Sequence, residues 1–305
     1  NVVAIQGDNL NKINIKSDTT LYLANEAQNK GYKIFYYEPK ELSIINNKVI
    51  ALGSFIKLYN LDNKFYKTIK KIKLDLSRTK FILIRQDPPF NLEYISTTHI
   101  LDTIKKKVKI INNPTAIRNV SEKLYSAQFF KYMPSTIFTK NIKEAKIFFN
   151  KNKKIIMKPI HGYGGNEIHL IKKFNKKFVE KFIRKHDHVM FQKFLPKIKY
   201  GDKRVFIING KICGAISRVP KKGSFLSNMS KGAIPKLTIL TKKEIRISKI
   251  IAKKLKEDNI YFSGIDFING KLNGDINVTS PTGLKTYFDL SKLNLAEYFW
   301  KGIKA

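Results

Sequence analysis

Asp266, Asp275 and Asn277 are the residues of this 305-residue chain whose types and spacing speak most directly of chemistry. They lie in two apolar runs, 262–268 and 271–278, joined by Asn269-Gly270. Asn-Gly between alternating runs is the strongest short-range hairpin signal. A two-residue turn there pairs Ile268 with Lys271, Phe267 with Leu272 and Asp266 with Asn273. Side chains alternate faces along a strand, so Asp266, Asn273, Asp275 and Asn277 share one face. Asp266 then lies diagonal to Asp275, roughly 7–8 Å away, a gap that side chains can bridge through an ion. Two carboxylates and a carboxamide are hard oxygen donors, suited to Mg²⁺ held jointly with substrate phosphates. A solvated polar face would show the same alternation. Against it stand the apolar neighbours Ile265, Phe267, Ile276 and Val278, and the rarity of Asp inside strands.

A second candidate is Lys158, inside the apolar run 155–160 and followed by Gly162, Gly164 and Gly165. Glycines let backbone N–H groups approach a phosphate, and a lysine adds a point charge. The spacing is neither a Walker A loop nor a dinucleotide fingerprint, and an ordinary glycine turn reads the same way. A third candidate is the placement of Arg85, Arg204 and Arg218 at strand ends, where a guanidinium fork can grip carboxylate or phosphate. Each of these could equally be a surface residue. His186-x-His188 lacks a third ligand at a sensible spacing, His161 reads as loop polarity, and Cys213 reads as a small core residue.

The elements that must position these groups begin with β-α-β alternation: a strand at 2–5, a helix at 18–30 and a strand at 33–37. Such alternation predicts a parallel sheet. A strand at 81–85 runs into Asp87-Pro88-Pro89-Phe90, just beyond a strand end, where open α/β sheets place ligands. A helix at 94–107, a strand at 108–111 and a Ser-capped helix at 121–130 follow. Beyond residue 140 the units shorten: strands at 155–160 and 189–194 around a charged helix at 173–185, then hairpins 203–218 and 262–278 around a helix at 242–256. The fold class expected is α/β (α+β).

Composition excludes several classes. No stretch reaches the roughly 18 apolar residues of a membrane span, and no secretory signal is visible. One cysteine fits a reducing compartment, so a cytoplasmic protein is expected. The formal charge of +36 suggests nucleic acid at first sight. Only seven of the 59 positive residues are arginine, and the lysines spread along the whole chain. With the abundant Asn and Ile, that is the mark of an AT-biased coding sequence, and a solvated lysine surface is the simpler reading.

Together the motifs resemble those of bacterial glutathione synthetases, a family of ATP-grasp ligases. The likeness runs in order along nearly the whole chain. It covers Ile13-Asn14-Ile15-Lys16 with Asp18, the Arg-x-Asp-Pro-Pro-Phe element at Arg85, Glu122-Lys123-Leu124, Met157-Lys158-Pro159 and Gly162-x-Gly164-Gly165. It continues through 192–196, Gly201-Asp202-Lys203-Arg204, Asp266 and the segment 275–282. The resemblance implies an N-terminal Rossmann-like pre-ATP-grasp domain at 1–120, a lid subdomain at 121–200 and an antiparallel catalytic core at 201–305. ATP would lie between two sheets, with Lys123, Lys158 and Gly162, Gly164 and Gly165 at its phosphates. Gln192, Lys193, Phe194 and Leu195 would line the adenine pocket and Asp202 would meet the ribose. Asp266, Asp275 and Asn277 would hold two Mg²⁺ or Mn²⁺ ions. The carboxylate of γ-glutamylcysteine would take the γ-phosphoryl group, and glycine would displace phosphate to give glutathione. Arg204 and Arg218 would be catalytic, and Lys16, Arg85, Asn277, Ser280 and Thr282 would join them in binding substrate. A homotetramer is implied.

Three positions depart from the family pattern. Asp275 stands where the family has Glu, and His161 where it has Asp. The segment 220–233, matching a flexible glycine-rich lid, has Leu226 in place of Arg and fewer glycines. The competing readings are another ATP-grasp ligase and a basic nucleic-acid-binding protein derived from a decayed enzyme. The Asn277-x-x-Ser280-Pro281-Thr282 segment argues against the first, and the scattered lysines and intact acidic cluster against the second.

Overall fold

The computed structural model describes residues 1–59 and 65–304. Its first sheet grows from the expected alternation. β1 (Val2–Gln6) is apolar and buried, and helix α1 (Thr19–Asn29) follows, capped by the Asp18 carboxylate on the Leu21 N–H at 2.6 Å. α1 buries Leu21, Leu23, Ala24 and Ala27 and returns the chain to β2 (Lys33–Tyr37), parallel to β1. Three further strands follow that the alternation does not announce. β3 (Leu42–Ile45), β4 (Lys48–Leu58) and β5 (Tyr66–Asp75) form antiparallel pairs that extend the sheet beyond β2. β5 is mostly exposed and rich in lysine, so it lacks the alternation that reveals a half-buried strand. β6 (Phe81–Ile84), helix α2 (Leu92–Asp102) and β7 (Lys109–Ile111) complete a seven-stranded sheet in which β2-β1-β6-β7, ending at the β7 edge, is parallel.

After helix α3 (Pro114–Asn119) the structure departs from the Ser-capped helix expected at 121–130. A 3-10 segment, Leu124–Tyr132, takes its place, with non-helical geometry at Phe129 and no side-chain cap. The Glu122 carbonyl accepts the Ile276 N–H at 3.3 Å and is therefore spent on a strand of the last sheet rather than on a helix turn. β8 (Thr136–Thr139), helix α4 (Ile142–Asn152), β9 (Ile155–Pro159), β10 (His169–Ile171), helix α5 (Lys176–His186) and β11 (Val189–Lys193) form a small layer. Its antiparallel sheet runs β10-β9-β11-β8 and packs its helices over Phe148, Phe149, Val179 and Phe182.

The last sheet is the antiparallel β14-β13-β12-β15-β16, from β12 (Asp202–Ile208), β13 (Lys211–Val219), β14 (Ile234–Leu237), β15 (Phe262–Ile268) and β16 (Lys271–Asn277). Both Asn-Gly turns form, with positive φ at Asn209 and Gly210 and at Asn269 and Gly270. Helix α6 (Lys242–Glu257), with a Thr241–Glu244 capping box, buries Ile247, Ile251 and Leu255 against this sheet. Helices α7 (Leu284–Ser291) and α8 (Leu295–Lys304) close the chain against α1. Asn112, at the end of β7, ties the first sheet to the last. Its amide donates to the carbonyls of Phe262 and Val278 at 2.7 and 2.6 Å, and its oxygen accepts the N–H groups of Tyr261 and Phe262 at 2.9 and 2.8 Å. Among the described residues no helix is long and apolar enough to cross a membrane.

The last hairpin corrects the expected register. Ile268 pairs with Lys271 and Phe267 with Leu272, but then the ladder shifts and Ile265 meets Ile276 and Gly264 meets Asn277. Asp266 therefore does not pair with Asn273. The shift is an irregularity centred on 273–275, where Gly274 takes φ +86° and lies against Met190 and Met133. Two extra residues preserve the alternation of β16, so Asn273, Asp275 and Asn277 still share a face, and Asp266 is left without a partner in the ladder.

Candidate active site

One cavity of about 690 Å³ lies where the three sheets meet, and nearly every residue singled out from the sequence lines it. Lys158 reaches it from β9, and Gln192, Lys193, Phe194 and Leu195 from the end of β11. Gly162, Gly164 and Gly165 form its rim, where Lys123 donates to the Gly162 carbonyl at 2.6 Å. Ile156, Ile198 and Ile268 give this side an apolar floor. Asp202, Arg204 and Arg218 come from β12 and β13, and Asp266, Asp275 and Asn277 from the last hairpin. Arg85, Ser280 and Thr282 line it too, and Arg204 donates to the Thr282 hydroxyl at 3.4 Å. Lys16 is not among the lining residues and is exposed, although its neighbours Asn14 and Ser17 do line the cavity.

The centre is a cluster of alternating charge. Arg204 faces Asp266 across β12 and β15 and grips it with two bonds of 2.8 Å, Nε to Oδ1 and Nη2 to Oδ2. Arg218 donates to the same Oδ2 at 2.8 Å and also grips Asp202 with its Nε and Nη2. Burial works against the Asp266 anion, but the two guanidiniums win and hold its carboxyl at about 2. Burial also works against the Arg218 cation, and Asp202 and Asp266 outweigh it, so Arg218 stays charged. A few residues along β16, Asp275 lies 3.3 Å from Lys158 and 3.5 Å from Lys123. These lysines overcome burial and hold its carboxyl below the ordinary carboxylate range. Burial pushes the Glu122 carboxyl up, and Asp275 and Asp266 add to this against the pull of Lys123 and Arg204.

Asp202, expected at the ribose, lines the cavity, and both of its oxygens are engaged, by Arg218 and by the Ser227 hydroxyl at 2.6 Å, because a carboxylate 1% exposed requires full pairing. Glu122 and Ser227 were assigned no role from sequence. Glu122 could have been read from its place before Lys123, whereas Ser227 is one polar residue in a loop and carries no sequence signal. His161 is exposed and does not line the cavity. His186 and His188 face Glu167 and Asp187 separately, at 3.4 and 2.8 Å.

The donors suit a hard cation. Asp275 and Asn277 offer oxygen donors, Asp266 gives both of its oxygens to Arg204 and Arg218, and the Lys158 and Lys123 approaches to Asp275 are long for hydrogen bonds. Among the described residues no three His, Cys, Asp or Glu converge as a metal cluster. The acids are balanced by side-chain cations instead: Asp202, Asp266, Asp275 and Glu122 stand against Arg204, Arg218, Lys123 and Lys158. A polyphosphate entering this site would draw the lysines to itself and leave Asp275 in need of a cation.

A cavity between two antiparallel sheets, with a lysine from each flank and an acidic hairpin beneath, defines an ATP-dependent ligase of the ATP-grasp class. The fold agrees. D-cycloserine synthetase DcsG matches with TM-score 0.67 at 10% identity over 99% of this chain and 98% of that one. D-alanyl-alanine synthetase A from Vibrio cholerae matches with TM-score 0.61 at 14% identity over 99% and 97%. The family models for the prokaryotic glutathione synthetase N-terminal domain and ATP-grasp domain match residues 2–118 and 122–291. Glutathione synthetase of Rhodopseudomonas palustris is 34% identical over 99% of this chain and 98% of its own, and that of Buchnera aphidicola is 36% identical over 92% and 89%. The chain belongs to the prokaryotic glutathione synthetase family.

Proposed function

We propose that the chain joins glycine to γ-L-glutamyl-L-cysteine with hydrolysis of ATP, giving glutathione, ADP and phosphate. Carrying this reading is the single cavity in which the lysine pair, the arginine pair and the acidic hairpin converge beside Arg85, Ser280 and Thr282. Three working parts are proposed, at 1–120, 121–200 and 201–305, acting as a homotetramer in the cytoplasm.

The adenine lies over Ile156, Ile198 and Ile268 and beside 192–195, and the triphosphate runs toward Lys123, Lys158 and the glycine rim. Asp266, Asp275 and Asn277 would hold two Mg²⁺ or Mn²⁺ ions, which would neutralise charge on the transferring phosphoryl group. The cysteinyl carboxylate of the dipeptide attacks the γ-phosphorus, the bond to the β-phosphate oxygen breaks, and ADP leaves. Arg204 and Arg218, fixed by their acids, face the acyl phosphate and stabilise its charge without reorganising. The glycine amine then attacks the acyl carbon, loses a proton and expels phosphate. Arg85 fixes the substrate end. It donates to the Pro281 carbonyl at 2.9 Å, and Ser280 donates back to the Arg85 carbonyl at 3.2 Å.

Purified protein with ATP, Mg²⁺, γ-glutamylcysteine and glycine should release phosphate and form glutathione, read by mass, only when both acceptors are present. Phosphate release indifferent to glycine would sink the proposal.

A further inference from the structure

The segment 220–233 crosses the cavity mouth and touches three of its walls. The Phe225 ring stands edge-on to Phe194 with centroids 6.4 Å apart, and Lys231 donates to the Asn166 side chain at 2.6 Å. Between them Ser227, 8% exposed, donates its hydroxyl to Asp202 Oδ2 at 2.6 Å. This third contact differs in kind. Phe225 and Lys231 meet the nucleotide side, whereas Ser227 meets the carboxylate that orients Arg218. An unbroken chain therefore runs from Ser227 through Asp202, Arg218 and Asp266 to Arg204.

We infer that Ser227 is a positioning residue, whose hydroxyl latches the closed segment to Asp202 and thereby sets the Arg218 guanidinium for phosphoryl transfer. The inference rests on the ligase reading in giving Arg218 that task. Asp202 Oδ2 accepts from both Arg218 and Ser227, so the carboxylate plane is fixed from two directions. With the segment open, one donor leaves, and the carboxylate gains freedom to turn with Arg218 still attached. Closure of the mouth and orientation of the arginine are then one event, and the acyl phosphate forms only when water is shut out. Leu226 lines the cavity beside Ser227 as a half-buried apolar side chain, so the bond to the buried carboxylate falls to Ser227.

The test compares Ser227→Ala with Ser227→Thr in the full chain. A hydrogen bond to a buried carboxylate is strong enough that its loss should lower kcat roughly ten-fold. The KM for ATP should change by less than about two-fold, because the nucleotide wall is untouched. Threonine keeps the hydroxyl and should restore kcat. Trypsin reads the latch without reference to chemistry. With a non-hydrolysable ATP analogue and Mg²⁺ bound, cleavage after the exposed Lys221, Lys222 and Lys231 should speed up in Ser227→Ala and return to the parent rate in Ser227→Thr. Unchanged cleavage in Ser227→Ala, or a kcat loss as deep in Ser227→Thr, overturns the inference. If the protein makes no glutathione while Ser227→Ala still loosens the segment, the function reading falls and the latch stands.

Discussion

Arg204 and Asp266 face each other directly across neighbouring strands and share two parallel hydrogen bonds of 2.8 Å, both groups buried. Arg218 leans on the same carboxylate. Asp266→Asn keeps the shape and removes the charge, leaving two buried guanidiniums one anion short. Breaking one partner of such a group costs about 3–5 kcal/mol. Urea unfolding should show a loss of that size together with loss of ligation. A variant as stable as the parent would mean that water reaches these arginines.

The same carboxyl predicts a pH dependence. Its ordinary value is 3.8 and the folded protein holds it at about 2. A depressed carboxyl stabilises the fold fully above its unfolded value. That contribution is lost as pH falls from about 4 through about 2, and amounts to about 2 kcal/mol. Unfolding free energy measured at pH 6 and at pH 2.5 should differ by less in Asp266→Asn than in the parent. Equal differences would show that Asp266 is not the group responsible.

Asp275 separates charge from reach. It stands between Lys158 and Lys123, at 3.3 and 3.5 Å. Asp275→Asn removes an anionic donor and should raise the Mg²⁺ needed for half-maximal phosphate release by roughly ten-fold or more. Asp275→Glu should keep the Mg²⁺ requirement within a few-fold of the parent. If both variants titrate like the parent, Asp275 holds no metal.

Why the hairpin was legible and its register was not is a matter of physical range. Asn269-Gly270 and the alternation of 262–268 and 271–277 are local, and they fixed the turn and the shared face. The shift at 273–275 depends on Gly274 packing against Met190 and Met133, residues of other elements that no local pattern announces. The 121–130 segment failed as a helix for the same reason, since the Glu122 carbonyl is claimed by Ile276, far along the chain. Lys158 could be picked out because charge inside an apolar run is conspicuous, and Arg85 because it stands at a strand end before Asp87-Pro88-Pro89. Ser227 could not, because its meaning lies wholly in Asp202.

Arg85 makes a prediction about substrate rather than nucleotide. Buried at the end of β6, it holds Thr20 at 3.1 Å and the Pro281 carbonyl at 2.9 Å, and so fixes the segment carrying Ser280 and Thr282. Arg85→Lys cannot span both partners with one ammonium. The KM for the dipeptide should rise at least about ten-fold while that for ATP stays within about two-fold, a split that steady-state kinetics resolves. Equal rises in both would place Arg85 in the general stability of the fold.

Gly165 tests the glycine rim against its own control. Its φ is +75°, and a Cβ there would lie 2.5 Å from Asn228 Oδ1 in the segment that covers the cavity. Gly31 has φ +83° and no atom within 4 Å of such a Cβ, and it lies outside the cavity. Alanine at either position incurs the same left-handed strain, about 1 kcal/mol in urea unfolding. Only Gly165→Ala also pushes Asn228 away and lifts the rim from the phosphates. The KM for ATP should therefore rise several-fold in Gly165→Ala and stay at the parent value in Gly31→Ala, although both proteins lose similar stability. A parental KM in Gly165→Ala would remove the rim from phosphate binding and leave Lys123 and Lys158 to hold the nucleotide alone.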